Sequence, residues 1–156
     1  MAESNFFLRS GNVLFSTILR SPLHGLASKS FMLVSVTGRK SGKVYTTPVN
    51  YHQFGDALRV VSERKRTWWR NLRGESAKAT LRLQGKDMRA TARVIEEEQE
   101  VAQALVDYLS RSPQNTRYFG VKTGPDGRPG EEDIRLAAKD KVIIEFHLPS
   151  PAGPNQ

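Results

Sequence analysis

Val36-Thr37-Gly38-Arg39-Lys40-Ser41-Gly42-Lys43 runs directly into Val44-Tyr45-Thr46-Thr47-Pro48-Val49-Asn50-Tyr51. A short apolar, β-branched run from Phe31 to Val36 precedes it. Two strand-like runs joined by a tight glycine-bearing turn read as an antiparallel hairpin. The turn gathers the cations Arg39, Lys40 and Lys43 with the hydroxyls of Thr37 and Ser41. Glycines let the backbone bend so that N–H groups can converge, and Arg and Lys supply charge and forked donors. This is the composition of an anion cradle. The plain alternative is a solvated hairpin tip.

Further strands lie outward from this hairpin. The second strand is expected to run from Val44 to Phe54, turn at Gly55-Asp56, and return as a third from Ala57 to Ser62. Ala77 to Leu83 alternates small or apolar residues with Lys, Thr and Arg. It turns at Gln84-Gly85-Lys86 into Met88 to Ile95. Glu96 to Leu109 reads as a helix with an acidic first turn and Val101, Leu105 and Leu109 at fourfold spacing. Residues 110 to 130 look irregular. A short helix from Glu131 to Lys139 and a last strand from Val142 to Phe146 follow. Before the hairpin, residues 6 to 28 show helical amphipathic spacing, and Ser21-Pro22 marks a second helix start. That segment either lies over the core or rests on a membrane surface with Phe6 and Phe7 as wedges. The expected organisation is a helical segment at 1–30, a barrel domain at 31–148 and a tail at 149–156. Antiparallel meanders with helices set apart argue for an α+β fold on a small barrel. Doubly wound topology needs a βαβ alternation that is absent.

Composition narrows the function. With 156 residues the chain can form one domain with a sizeable core. It lacks cysteine, which removes disulfides, thiolate metal sites and Cys nucleophiles, and fits a reducing cytoplasmic setting. A net charge of +8 favours an anionic partner. No run approaches the roughly 20 apolar residues of a membrane span. The N-terminus shows no secretory pattern. His24, His52 and His147 are scattered, so no metal site is expected. Neither a G-x-G-x-x-G, a phosphate loop nor a G-x-S-x-G elbow is present. Without a nucleophile–base–acid set, any chemistry points to a cofactor.

The second informative stretch is Ser62-Glu63-Arg64-Lys65-Arg66-Thr67-Trp68-Trp69-Arg70-Asn71-Leu72-Arg73. Thr67 is expected to cap a helix running to about Arg73. Neighbours on a helix point roughly 100° apart, so one tryptophan should pack inward while the other can flank a flat ligand. Pro48 suits an edge strand, and exposed backbone near Thr46-Thr47 could hydrogen-bond a heterocycle. Cradle, edge and tryptophans together fit a planar ring with an anionic tail. The mixture of cations and aromatics from Arg64 to Arg73 also suits single-stranded nucleic acid, which is the less favoured reading; a non-catalytic carrier of flavin or lipid is a further one, and the oligomeric state is open.

At these residues the chain resembles the deazaflavin (F-420)-dependent nitroreductase family. The likeness covers roughly residues 20 to 95. It rests on Ser21-Pro22-Leu23-His24, Thr37-Gly38-Arg39-Lys40-Ser41-Gly42, Thr47-Pro48 and Thr67-Trp68-Trp69-Arg70-Asn71-Leu72. It implies a split β-barrel of the FMN-binding type with flanking helices. It also implies F-420 as cofactor, with FMN as the alternative, and hydride transfer to a quinone or nitro acceptor. F-420 carries a ribityl phosphate and a polyglutamate tail. By position, Arg39, Lys40 and Ser41 would hold phosphate or tail. Tyr45, Thr46, Thr47, Pro48, Val49 and Asn50 would line the cofactor. Val61 and Ser62 would lie near the ring, and Thr67, Trp68, Trp69, Arg70 and Asn71 would close the pocket. Tyr118 and Ser62 are the candidate proton donors. The link from Glu63 to Arg66 is shorter and more charged than the family pattern.

Overall fold

The computed structural model describes residues 31–149, apart from the side chains of Gln114 and Tyr118. The N-terminal helices and the tail beyond Pro149 expected from the sequence lie outside these residues. Seven strands form one antiparallel sheet: β1 Phe31–Thr37, β2 Val44–Asn50, β3 His52–Phe54, β4 Ala57–Glu63, β5 Ala77–Leu83, β6 Lys86–Ile95 and β7 Lys141–His147. Two helices, α1 Glu98–Arg111 and α2 Glu131–Asp140, are inserted between β6 and β7.

The sheet order is β2-β1-β5-β6-β7-β4-β3. Strands β2 and β3 thus sit at opposite edges, although only Tyr51 separates them in the chain. One residue advances the chain by less than about 4 Å. The two edges must therefore meet, and the sheet curls into a barrel with a seam between β2 and the β3–β4 pair. This corrects the expected single strand from Val44 to Phe54. Alternation continues through the segment, but the chain changes ladders at Tyr51, and periodicity cannot register that.

Inward-facing side chains alternate along every strand, as the pleat requires. Met32, Val34, Leu81, Val60, Ile144 and Phe146 are all at most 1 % exposed in the barrel core. Strands β4 and β7 are covered on their other face as well. There Val61 packs with Leu105, Leu109 and Ile134, and Ile143 with Val101, Ala104 and Ala138, of α1 and α2. Arg59, also on that face, donates to Glu145 at 3.2 Å and to the Ala104 carbonyl at 3.3 Å, tying sheet to helix.

Helix α1 starts two residues later than expected, because Glu97 is its cap. The Glu97 carboxylate accepts the N–H groups of Gln99 (3.2 Å) and Glu100 (2.9 Å). Glu96 leaves the helix and turns to Arg73 instead. Beyond α1, residues Pro113–Asn115 and Arg117–Phe119 form short 3-10 turns, and Thr123 bridges to Pro129. The region read as irregular is therefore locally ordered. The Trp-bearing stretch is a five-residue 3-10 turn, Trp68–Leu72, rather than an α-helix reaching Arg73. Thr67 precedes it but makes no side-chain cap hydrogen bond, against expectation.

Candidate cofactor site

The hairpin tip is braced from within. Gly38 donates its N–H to the Lys43 carbonyl at 2.7 Å, and Gly42 donates to the Gly38 carbonyl at 2.9 Å. Lys43 N–H donates to Ser41 Oγ at 3.2 Å, and Ser41 Oγ also bonds Tyr45 OH at 3.2 Å. Gly42 has φ +67°, a left-handed conformation that favours glycine. Gly38 is required by contact, since a Cβ there would lie 2.7 Å from both Ser41 Oγ and Tyr45 Cε2. The N–H groups of Gly38, Gly42 and Lys43 are thus used inside the turn, and that of Arg39 goes to Asn71. Four of the tip's backbone donors are spoken for, which leaves those of Lys40 and Ser41 without a protein acceptor among the described residues. What the tip offers an anion is side-chain charge and these two N–H groups. Arg39, Lys40 and Lys43 are exposed and make no carboxylate contact among the described residues.

The tip meets the Trp turn. Arg39 N–H donates to Asn71 Oδ1 at 3.2 Å, and Asn71 Nδ2 donates to the Trp68 carbonyl at 3.1 Å. A Cβ on Gly74 would lie 3.5 Å from Arg39 Nη2, so the guanidinium rests against that glycine. Gly74 was not singled out by the sequence; its position one residue past the Trp-turn motif was the available signal. The far end of the turn is held by Arg73, whose Nη2 and Nε donate to Glu96 Oε1 and Oε2 at 2.7 and 3.0 Å. Arg73 also lies 4.8 Å over the Trp69 ring. The hydrogen bond from Arg73, more than its charge, holds the Glu96 carboxyl below its ordinary range, with Arg64 and Arg70 adding attraction.

The two tryptophans divide as their spacing requires. Trp69 is 1 % exposed and belongs to the barrel core, so it has no surface left for a ligand; this corrects its assignment to the pocket wall. Trp68 is half-buried, and its indole Nε1, itself buried like that of Trp69, has no hydrogen-bond partner among the described residues. The run from Tyr45 to Asn50 also divides. Thr47 and Val49 pair with Val34 and Met32 and face inward, while Tyr45, opposite Val36 on the same side, is exposed at the rim. Thr46, Pro48 and Asn50 pair with Ser35, Leu33 and Phe31 on the opposite face. Thr46 Oγ1 bonds Ser35 Oγ there at 2.8 Å, and Asn50 Oδ1 is buried without a partner. Strand β2 is an edge, as Pro48 suggested, so its outer backbone faces the seam.

Residues 61 and 62 separate by face too. Val61 points to the helices α1 and α2, not to the barrel, which corrects its placement near the ring. Ser62 faces the barrel, 6 % exposed, and donates to the Glu63 carbonyl at 3.3 Å. Tyr118 lies in the Arg117–Phe119 turn, and its side chain is outside the described residues. The charged link after Ser62 is structural. Arg64 donates to the carbonyls of Glu96, Lys139 and Lys141 at 2.9–3.1 Å, and Lys65 lies 3.4 Å from Glu63. Arg64 and Arg73 are therefore committed within the fold, which leaves Arg66 and Arg70 exposed on that stretch. Among the described residues no His/Cys/Asp/Glu group could hold a metal ion, and no helix is long and apolar enough to cross a membrane.

The site thus has an exposed cationic tip at one end and a half-buried indole with an unpartnered donor at the other. An open strand edge runs beside them. These features fit an elongated cofactor with a ring and an acidic tail. The sequence profile of F420H(2)-dependent quinone reductases matches residues 21–123. The chain belongs to this family. It is an F420H2-dependent oxidoreductase, and its cofactor is F420. The family implies a quinone-type small-molecule acceptor.

Two solved structures agree on the fold. A protein from Agrobacterium tumefaciens described as of unknown function aligns with a TM-score of 0.52 at 15 % identity, over 84 % of this chain and 56 % of that one. A Listeria innocua protein described as a putative pyridoxamine 5'-phosphate oxidase aligns at 0.50 and 10 % identity, over 82 % and 90 %. A protein described as an F420 reductase aligns at 0.46 and 17 % identity, over 86 % and 92 %. A search of curated proteins gave no match.

Proposed function

We propose that this protein reduces a quinone with F420H2, and that nitro compounds serve as further electron-poor acceptors. The observation that carries the reading is the bond from Arg39 to Asn71, which joins the cationic tip and the Trp turn into one site in a member of this family. On this reading, Arg39, Lys40 and Lys43 hold the acidic tail, and their exposure makes the hold sensitive to salt. The outer backbone of β2 binds the polar edges of the ring near Thr46 to Asn50. Trp68 covers one side and keeps water from the reacting face, and Arg70 lies at the rim. The bound cofactor supplies the hydride. The chain supplies placement, which is the larger part of a reaction between two held reactants.

A quinone taking up a hydride also takes up a proton at its second oxygen. The chain's candidates to deliver it are the Ser62 hydroxyl and the Tyr118 phenol. Each carries a hydroxyl proton at neutral pH and would regain from water, in the same relay, the proton it passes on. A cytoplasmic location is part of this proposal. Contact between residues 1–30 and a quinone-bearing membrane is tested by cosedimentation of the full chain with anionic vesicles.

The deciding experiment is anaerobic. Reduced F420 is mixed with a soluble naphthoquinone, with and without the protein, and reappearance of the oxidised cofactor's absorbance is followed. The expected result is catalysed oxidation with one quinol formed per cofactor. Tight binding of F420 with no acceleration for quinones or nitro compounds would overturn the reading in favour of a carrier.

A further inference from the structure

We propose that Asn71 is a positioning residue that fixes the cationic tip against the Trp turn, acting through the Arg39 backbone rather than by touching the cofactor. The proposal rests on the functional reading above. It starts from a single carboxamide with both ends engaged. Oδ1 accepts the N–H of Arg39, 32 residues away in the chain, and Nδ2 donates to the Trp68 carbonyl within the turn. Asparagine is the shortest side chain with an acceptor and a donor set in one plane. Aspartate would keep the first bond and lose the second. A serine hydroxyl would have to make both from one atom.

The tip has little else to orient it. Its other backbone N–H bonds, from Gly38, Gly42 and Lys43, close within the hairpin and fix its shape, not its direction. Among the described residues, the Arg39 N–H is the hydrogen bond that leaves the tip for another element. The receiving turn is itself anchored. Leu72 and Trp69 are each 1 % exposed in the core, and Arg73 grips Glu96 with two hydrogen bonds. Position therefore passes from the barrel, through the Trp turn and Asn71, to the three cations. Contact of Gly74 with the Arg39 guanidinium adds a second support on the same side. Loss of the Asn71 link leaves the hairpin formed but free to swing, so charge remains while its aim is lost.

The test compares two ligands: intact F420, and a deazaflavin carrying only the ribityl chain, with neither phosphate nor tail. Affinities of wild type and Asn71→Ala are measured by fluorescence titration, and exchange of the Arg39 amide is followed in the ligand-free proteins. One lost hydrogen bond predicts about three- to tenfold weaker F420 binding, with faster Arg39 exchange. Binding of the ribityl ligand is expected to change by less than about twofold, which also reports a folded variant. Should Asn71→Ala not fold, Asn71→Asp retains the acceptor and is expected to keep the Arg39 amide protected. There the tip stays anchored, so in salt high enough to screen the added carboxylate its F420 affinity should lie within about twofold of wild type under the same conditions, and a loss as large as that expected of Asn71→Ala would overturn the proposal. In Asn71→Ala, an equal fall for both ligands would make Asn71 a contact residue and overturn the proposal, as would unchanged F420 affinity. Wild-type protein that binds neither ligand would instead overturn the functional reading on which it stands.

Discussion

Removing the cations of the hairpin tip tests how this protein holds an anion. Four backbone N–H groups of the tip are committed to protein acceptors, so Arg39, Lys40 and Lys43 are its main source of attraction, beside the N–H groups of Lys40 and Ser41. All three side chains are exposed, so the dielectric around them is close to that of water. A unit charge about 4 Å from an anion then contributes ~1 kcal/mol, or about fivefold in affinity. Three such contacts amount to ~3 kcal/mol. The variant with all three changed to Ala should therefore bind F420 about 150-fold more weakly at low ionic strength. Single variants should each lose about fivefold. The gap between wild type and triple variant should shrink as salt shortens the screening length from about 10 Å at 0.1 M to about 3 Å at 1 M. Fluorescence titration at several salt concentrations measures both effects. A triple variant that binds within about threefold of wild type at low salt would refute the reasoning. It would mean that backbone donors or other elements hold the tail.

Other outcomes follow from the same geometry. Trp69→Ala should cost about 3–5 kcal/mol in urea unfolding, as for other deeply buried aromatics, whereas Trp68→Ala should cost less and mainly weaken F420 binding. Gly38→Ala should destabilise by about 1–3 kcal/mol, because its Cβ would lie 2.7 Å from Tyr45 Cε2 and Ser41 Oγ. Gly42→Ala meets no atom, and should cost only its left-handed backbone, about 1–2 kcal/mol, in the same unfolding assay. The Glu96 carboxyl is held below its ordinary value of 4.5 by Arg73. A carboxylate depressed in the folded state stabilises the fold above its unfolded pKa and stops doing so as pH falls through its folded one. Wild type should therefore be more stable than Glu96→Gln by less than ~1 kcal/mol at neutral pH, given the pair's exposure. Chemical unfolding should find that difference closing as pH falls below 4.5.

The sequence determined what local chemistry can determine. Alternation set most strands, glycines set the turn at 38–42, and Pro48 announced an edge. The fourfold spacing from Val101 set α1, though not its cap at Glu97. The stretches that form the site were legible because their residue types are unusual where they stand, and the family match at 21–123 follows from them. Tertiary structure decided the rest, because the deciding partners are distant in the chain. The break at Tyr51 exists because two sheet edges meet there. Trp69 rather than Trp68 enters the core because the turn packs against β1, β5 and β6, and Trp69 and Leu72 are the side chains it aims at them. Val61 faces helices that the sequence places elsewhere. The hairpin tip changed most. Its composition suggested an anion site, and four of its backbone donors are claimed by Gly38, Lys43, Ser41 and Asn71, so exposed side chains supply most of what it offers.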